Sequence, residues 1–335
     1  VKRWIIRIAL LLAASIALAT VTGSAYERIQ RYQTKHDFPP LGTLVDIGGR
    51  RIQLDCRGTG SPTVVFESGL DINGSLSWSA VQGAVAKTTR ACSYSRAGIM
   101  WSDPSRGVQN GKAVVDDLHK TLQAAGEHGP FVLVGHSLGG PYIMTYTKYY
   151  GQDVAGLVFV DASHPDQVER LKAVTPQQSA FFGKLLVSLA WTGALRQFVG
   201  GVVQQQPHQD MQDVAMIRAY APTSLGPMLA ENAALDQTLA EAGTFRQLGN
   251  RPLYVLTAMA PLSKAELQSM HMNAAQGVHM REVWKQMQDD EASWSSRSQH
   301  QLVGDSSHNI QFHRPDVVIH AVLSVVDLVR ADEQH

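Results

Sequence analysis

Residues 135–140 read Gly-His-Ser-Leu-Gly-Gly, which fits the pattern G-x-S-x-G. A short apolar run, 131–134, precedes them, and Gly140-Pro141 opens a stretch of helical spacing that continues to Tyr150. Strand before and helix after make the pattern a nucleophile elbow. The chain must reverse between the two elements in about one residue, which places Ser137 in a strained backbone region. Glycines at 135 and 139 remove side chains that would collide with that turn. The hydroxyl then projects above the carboxyl edge of a sheet, and the helix aims its free N–H groups at charge formed nearby. A free serine hydroxyl is a poor nucleophile at neutral pH and needs a base. Acyl transfer also needs two N–H donors aimed at the tetrahedral oxygen. The backbone N–H of Leu138, directly after the serine, is the first candidate. The second is Leu70 N–H in the loop Glu67-Ser68-Gly69-Leu70, where Gly69 allows close approach; a simple glycine turn is the alternative.

These residues need a frame. Apolar or alternating runs predict strands at 43–47, 51–57, 63–67, 90–94, 131–134, 154–160, 252–257 and 299–303. Helical spacing predicts helices over 78–86, 114–125, 140–150, 264–272, 281–290 and 316–329. The run 154–160 is nearly all apolar and rich in valine, as a parallel strand covered on both faces should be. Alternating strands and helices imply an α/β fold: a mostly parallel, doubly wound sheet with helices on both faces. From 166 to 250 the texture changes to Gln, Ala, Leu and Met with few strand signals, which predicts a helical insertion, or cap. The expected organisation is therefore a core over 41–165 and 251–331, interrupted by the cap.

The chain resembles the α/β-hydrolase superfamily over nearly all of 41–329, and within it exported or membrane-associated bacterial serine hydrolases of the esterase type. The residues that carry this are Phe66-Glu67-Ser68-Gly69, Tyr94-Ser95-Arg96-Ala97-Gly98, Trp101-Ser102-Asp103, Gly135 to Gly140, Val160-Asp161-Ala162-Ser163-His164-Pro165, and His308-Asn309-Ile310 before Pro315. The resemblance implies a triad in the chain order serine, acid, histidine. His308 lies on the loop between the last strand and the closing helix, as the base should. His300 falls within that strand, His313 abuts the helix, and His136 sits inside the elbow. The usual place for the acid, the loop after 252–257, reads Ala258-Met259-Ala260-Pro261 and holds no carboxylate. Asp161, at the tip of the strand beside the nucleophile's, is the chosen acid, ahead of Glu266 and Asp305. Its alternative role is to cap the following turn. Ser95 stands where many relatives have aspartate, which removes a local ion pair with Arg96. Cys56 and Cys92 fall on the second and fourth strands, neighbours in this fold, so either a cross-strand disulfide or two buried thiols is expected.

The chain has 335 residues, with Lys plus Arg equal to Asp plus Glu at 29 each and charged residues at 17%. There is no basic stripe for nucleic acid and no acidic tail. Thirteen histidines come without HExxH or close CxxC spacing, so neither metal nor other cofactor is expected. Lys2, Arg3 and Arg7 precede an apolar run over 8–21, followed by Gly23, Ser24 and Ala25. That is the plan of a secretory signal or an N-terminal membrane anchor over 1–25. The polar residues 26–40, ending in Pro39-Pro40, read as a linker. The expected activity is hydrolysis of a small-molecule carboxylic ester through an acyl-enzyme, by an exported protein that is membrane-anchored or secreted. Phe181, Phe182, Leu185, Leu186, Leu189, Trp191, Met228 and Leu229 either line an apolar pocket or pack the cap onto the core. A cofactor-free perhydrolase or C–C hydrolase could run on the same triad. A membrane-tethered ligand-binding receptor is the non-catalytic alternative. Epoxide hydrolases and haloalkane dehalogenases need aspartate at the elbow, which Ser137 argues against.

Overall fold

A computed structural model describes residues 2–172, 190–199, 201 and 203–334. Its centre is an eight-stranded sheet of β1 (Thr43–Asp46), β2 (Arg51–Arg57), β3 (Thr63–Glu67), β4 (Ala91–Ser95), β5 (Phe131–His136), β6 (Val154–Val160), β7 (Leu253–Ala258) and β8 (Ser298–Val303). The spatial order is β1-β2-β4-β3-β5-β6-β7-β8. β2 is antiparallel to β1 and β4, and every other neighbouring pair is parallel. All eight strands predicted from the sequence are present, with ends shifted by no more than two residues.

The central strands are apolar because both of their faces are covered. Successive side chains point to opposite faces. Val65, Leu133, Leu157, Phe159 and Val255 face one way, and Val64, Phe66, Val132, Val134, Val158 and Val160 the other. The first set packs with Val115, Leu118 and Leu122 of α3 (Gly111–Ala124) and Tyr142, Ile143 and Tyr146 of α4 (Gly139–Tyr150). The second packs under Val81 and Val85 of α2 (Ser79–Val85), and Val318, Val322 and Val325 of the closing helix Pro315–Glu333. Burying a Val, Leu or Phe side chain contributes about 1.5–3 kcal/mol, so these two layers hold the strand ends, and the loops leaving them, in fixed relation.

Between β6 and β7 the described residues are helical or irregular, with no strand. The main elements are α5 (Met211–Ala233), capped by Asp210, which accepts from Gln212 N–H, and α6 (Leu235–Gly243). Five residues singled out above as pocket-lining or packing, Phe181, Phe182, Leu185, Leu186 and Leu189, lie outside the described residues. Trp191 is 54% exposed, while Met228 packs at the edge of a cluster with Met216, Ile217 and Trp101. After β7, α7 (Ala274–Ala292) begins earlier than the helix predicted at 281, because Asn273 and Gln276 form a capping box there.

At the N-terminus the structure corrects the linker reading. Residues 26–37 continue the apolar helix without a break, so α1 runs Lys2–Asp37. An 18-residue window of α1 has a mean hydropathy of 2.2 and is unburied. The end nearer the body is docked: Glu27 is buried and pairs with Arg31 and Arg196.

Cys56 and Cys92 are register partners across β2 and β4 and form a disulfide. It closes a loop of sequence separation 36, for which chain entropy gives about 3–4 kcal/mol. Replacing both cysteines by serine should lower the stability of the protein by about that amount in urea unfolding. An unchanged midpoint would show that the bridge constrains nothing.

Candidate active site

β5 and β6 end side by side, with His136 in register with Val160. Ser137 and Asp161 are the next residues on each strand, and both bend sharply, with φ of 51° and 45°. Such positive values are costly for residues with a Cβ and mark sites held by their surroundings. The bend at Ser137 is pinned on both sides: its N–H donates to Val160 O, and its carbonyl accepts from Gly140 and Ser163 N–H. The turn is also closed sterically. A Cβ on Gly135 would lie 2.6 Å from the Gly139 carbonyl, so this close approach admits only glycine.

His308 stands on the loop after β8. Its Nδ1 lies 2.6 Å from Asp161 Oδ2. Asp161 is fully buried, and its other oxygen accepts from Ala258 N–H and Trp284 Nε1–H, both at 2.9 Å. Three donors around one buried carboxylate satisfy a charge that burial would otherwise penalise. The alternative acids are engaged elsewhere: Glu266 closes a capping box with Ser263, and Asp305 pairs with Arg314. Behind Asp161, Glu291 is buried with no hydrogen-bond partner for either oxygen among the described residues, and burial together with the Asp161 charge raises its pKa well above the carboxylate range. Burial thus favours the neutral form of Glu291.

His136 supports His308 from below. Its Nε2–H donates to the His308 carbonyl at 3.0 Å, and the ring centroids are 4.7 Å apart. Burial, with the neighbouring His308, lowers the pKa of His136 to about 3, so its ring is neutral and acts as a strut. Ser137 and His308 line one cavity of about 250 Å³ with Leu70, Asn73, Gln206 and Asn309 among its walls. Among the described residues the N–H groups of Leu138 and Leu70 have no acceptor. Leu138 opens α4. The Leu70 loop approaches so closely that a Cβ on Gly69 would lie 2.9 Å from Ser137 Cβ.

Arg96 is paired without help from residue 95. With Ser95 before it, the guanidinium still has two carboxylate partners, Glu67 and Glu231, both at 2.8 Å. Burial works against its charge, and Glu231 and Glu67 overcome it, so its pKa is raised. Burial also pushes the Glu67 carboxyl up to about 7 against the pull of Arg96. Ser95 itself donates to Gln53 Oε1 and accepts from Ser75 N–H. Trp284 and Glu231 escaped the sequence reading. Each lies more than a hundred residues from its partner, and no local spacing marks either one.

Comparisons with known proteins place the chain. The family described as "Alpha/beta hydrolase family" matches residues 34–321. A protein of Hormonema carpetanum described as "Probable transporter efuK" is 35% identical over 144 residues, 40% of this chain and 20% of that protein. An uncharacterized protein of Bacillus subtilis, YbdG, is 26% identical over 170 residues, 48% of this chain and 52% of that protein. The chain thus spans between a fifth and about half of these relatives' lengths. Among solved structures, a thermophilic esterase from Thermogutta terrifontis matches with a TM-score of 0.59 at 17% identity, covering 85% of this chain and 97% of that one. One described as "a putative epoxide hydrolase from Pseudomonas aeruginosa" matches with a TM-score of 0.62 at 16% identity, covering 88% and 98%. At such identities the likeness speaks to the fold alone.

The neutral strut can be checked directly. His136 should stay neutral in an NMR titration down to about pH 4, with its one ring N–H proton on Nε2. Its folded pKa lies below the ordinary value of 6.5, so the stability it contributes is present above that pH and is lost as pH falls toward 3. A His136 ring that titrates near 6.5 would contradict the geometry.

Proposed function

Because the chain belongs to the alpha/beta hydrolase family, we propose that it is a serine hydrolase that cleaves small carboxylic esters through an acyl-enzyme on Ser137. One observation carries the reading: the buried Asp161 carboxylate grips His308 Nδ1 at 2.6 Å, in the cavity that Ser137 also lines. The grip fixes the tautomer, leaving Nε2 as the proton acceptor, and stabilises the imidazolium that forms. His308 takes the Ser137 proton as Oγ attacks the ester carbonyl. The carbonyl oxygen becomes an anion facing the N–H groups of Leu138 and Leu70, strengthened by the N-terminal end of α4. His308 then gives the proton to the departing alcohol as the C–O bond breaks. Water completes the cycle: His308 takes one of its protons, its oxygen adds to the acyl carbon, and the proton returns to Ser137 as the acid leaves.

Ser137 also argues against epoxide opening. Serine attack on an epoxide carbon would form an ether, which this apparatus could not hydrolyse, whereas an aspartate would form an ester. The cavity volume of about 250 Å³ lies below the roughly 300–1,000 Å³ of most ligand pockets. With Asn73, Gln206 and Asn309 in its walls, it favours a short acyl chain. We read residues 166–250 as a cap over the core. We read the apolar part of α1 as a membrane anchor, since the helix continues unbroken into a docked segment. The disulfide fits a domain held on an oxidising side.

A series of p-nitrophenyl esters tests the chemistry and the size together. Acetate and butyrate should turn over, and dodecanoate should be poor. A fluorophosphonate should label the wild type, while Ser137→Ala should be unlabelled and inactive yet folded. Asp161→Asn should lower kcat by about 10⁴-fold. Turnover retained in Ser137→Ala would end the proposal, and a near-normal Asp161→Asn would remove the acid from it. For the anchor, deleting residues 2–24 should move the protein from the membrane fraction to the soluble one. A truncated protein still held in the membrane would refute that part.

A further inference from the structure

Arg96 leaves the end of β4 and is 3% exposed. Its Nε and Nη2 hold both oxygens of Glu231, on α5, at 2.9 and 2.8 Å. Nη1 donates to Glu67 Oε1 and to the Ser68 carbonyl and hydroxyl, each at 2.8 Å. Nη2 also donates to the Gly69 carbonyl at 2.6 Å. One planar cation therefore touches the last residue of β3, two successive carbonyls of the loop that follows, and a helix 135 residues away in sequence.

The carbonyl contacts have a geometric consequence. In a trans peptide the C=O and the next N–H lie in one plane and point to opposite sides. Drawing the Gly69 carbonyl toward Arg96 therefore turns Leu70 N–H away from Arg96. The Ser68 carbonyl is held in the same way, so the Gly69 peptide cannot rotate to compensate. Asp71 N–H adds a second donor to the Gly69 carbonyl at 2.9 Å. Ser137 stands close to Gly69, where an added Cβ would lie 2.9 Å from Ser137 Cβ, and Leu70 N–H is without an acceptor among the described residues.

We infer that Arg96 is a positioning residue that aims the Leu70 N–H at the developing oxyanion, and that Glu231 ties this aim to the placement of α5. The inference rests on the serine-hydrolase reading above. A lysine could not do the same work, because it has a single charged nitrogen where the guanidinium has a fork of five donors. Glu231 sets which way that fork faces. Loss of the Glu231 charge frees the guanidinium to turn, and with it the Gly69 carbonyl that Nη2 holds.

A sulfur substitution in the substrate separates aim from mere folding. In a thionoester the carbonyl oxygen is replaced by sulfur, which accepts hydrogen bonds weakly, so it draws little on an oxyanion hole. We would measure kcat/KM for a matched ester and thionoester in the wild type, Glu231→Gln and Arg96→Lys. The wild type should favour the oxygen ester. In both variants that ratio should fall at least tenfold, through kcat, with KM for the oxygen ester changed by less than about threefold. A structural role alone would reduce the active fraction and lower both rates together, leaving the ratio fixed, and that result would overturn the inference. Glu231→Gln keeps the shape of the side chain, so it decides the matter should Arg96→Lys fail to fold. Fluorophosphonate labelling and ester turnover of the wild type are scored first. Their failure would fall on the hydrolase reading, whereas an unmoved ratio in an active enzyme falls on Arg96.

Discussion

Two neighbouring strands that stop at the same level and then bend sharply are the constraint on which the site depends. Ser137 and Asp161 each follow a registered pair, His136 and Val160, so parallel pairing alone sets them side by side. Neither bend would persist on its own, since a positive φ at a residue with a Cβ costs of order 1–3 kcal/mol. Each is over-determined by its surroundings. Val160 O receives the Ser137 N–H, Leu256 O receives that of Asp161, and apolar layers on both faces fix the strands beneath them. A rigid sheet edge can hold the strain, and the strain keeps the hydroxyl projecting.

The charges around the site obey one rule. Asp161 is buried with donors on both oxygens, and Arg96 is buried between two carboxylates. Groups that would add uncompensated charge are held neutral instead: burial, with His308, keeps the proton off His136, and burial beside Asp161 keeps it on Glu291. In a medium of low dielectric an unpaired charge would be costly, and the remaining paired ones act at full strength. The chemistry proposed for Ser137 needs that economy, because the imidazolium and oxyanion appear only transiently and must meet fixed partners.

What was legible in the sequence was mostly local. The elbow announces itself because its glycines, serine and flanking elements lie within a few residues. The strands announce themselves by composition, since coverage on both faces demands unbroken apolar runs. Asp161 could be chosen because a strand tip beside the nucleophile's strand is a position, and position follows from order along the sheet. The opposite case is Trp284, whose Nε1–H reaches Asp161 from a helix 123 residues away with nothing local to mark it. Residues 26–37 show a different failure. Their polarity suggested a linker, but Glu, Arg, Gln and Lys are good helix formers and no glycine or proline intervenes before Pro39. Polarity decides which face meets water, whereas helix breakers decide where a helix ends.

The clamp between Arg96 and Glu231 also bears on how such a scaffold can be rebuilt. Helical stretches between two strands invite exchange between relatives, since they join the sheet at two points. Here one carboxylate of α5, between β6 and β7, is plugged in beside the loop at Gly69. A chimera built with a donor lacking an acid at that point would leave two of the guanidinium's six hydrogen bonds unmade in the dry interior. Transplants should therefore carry residue 231 with them or replace position 96 in the same stroke, and homologous recombination libraries should keep the two as a linked pair.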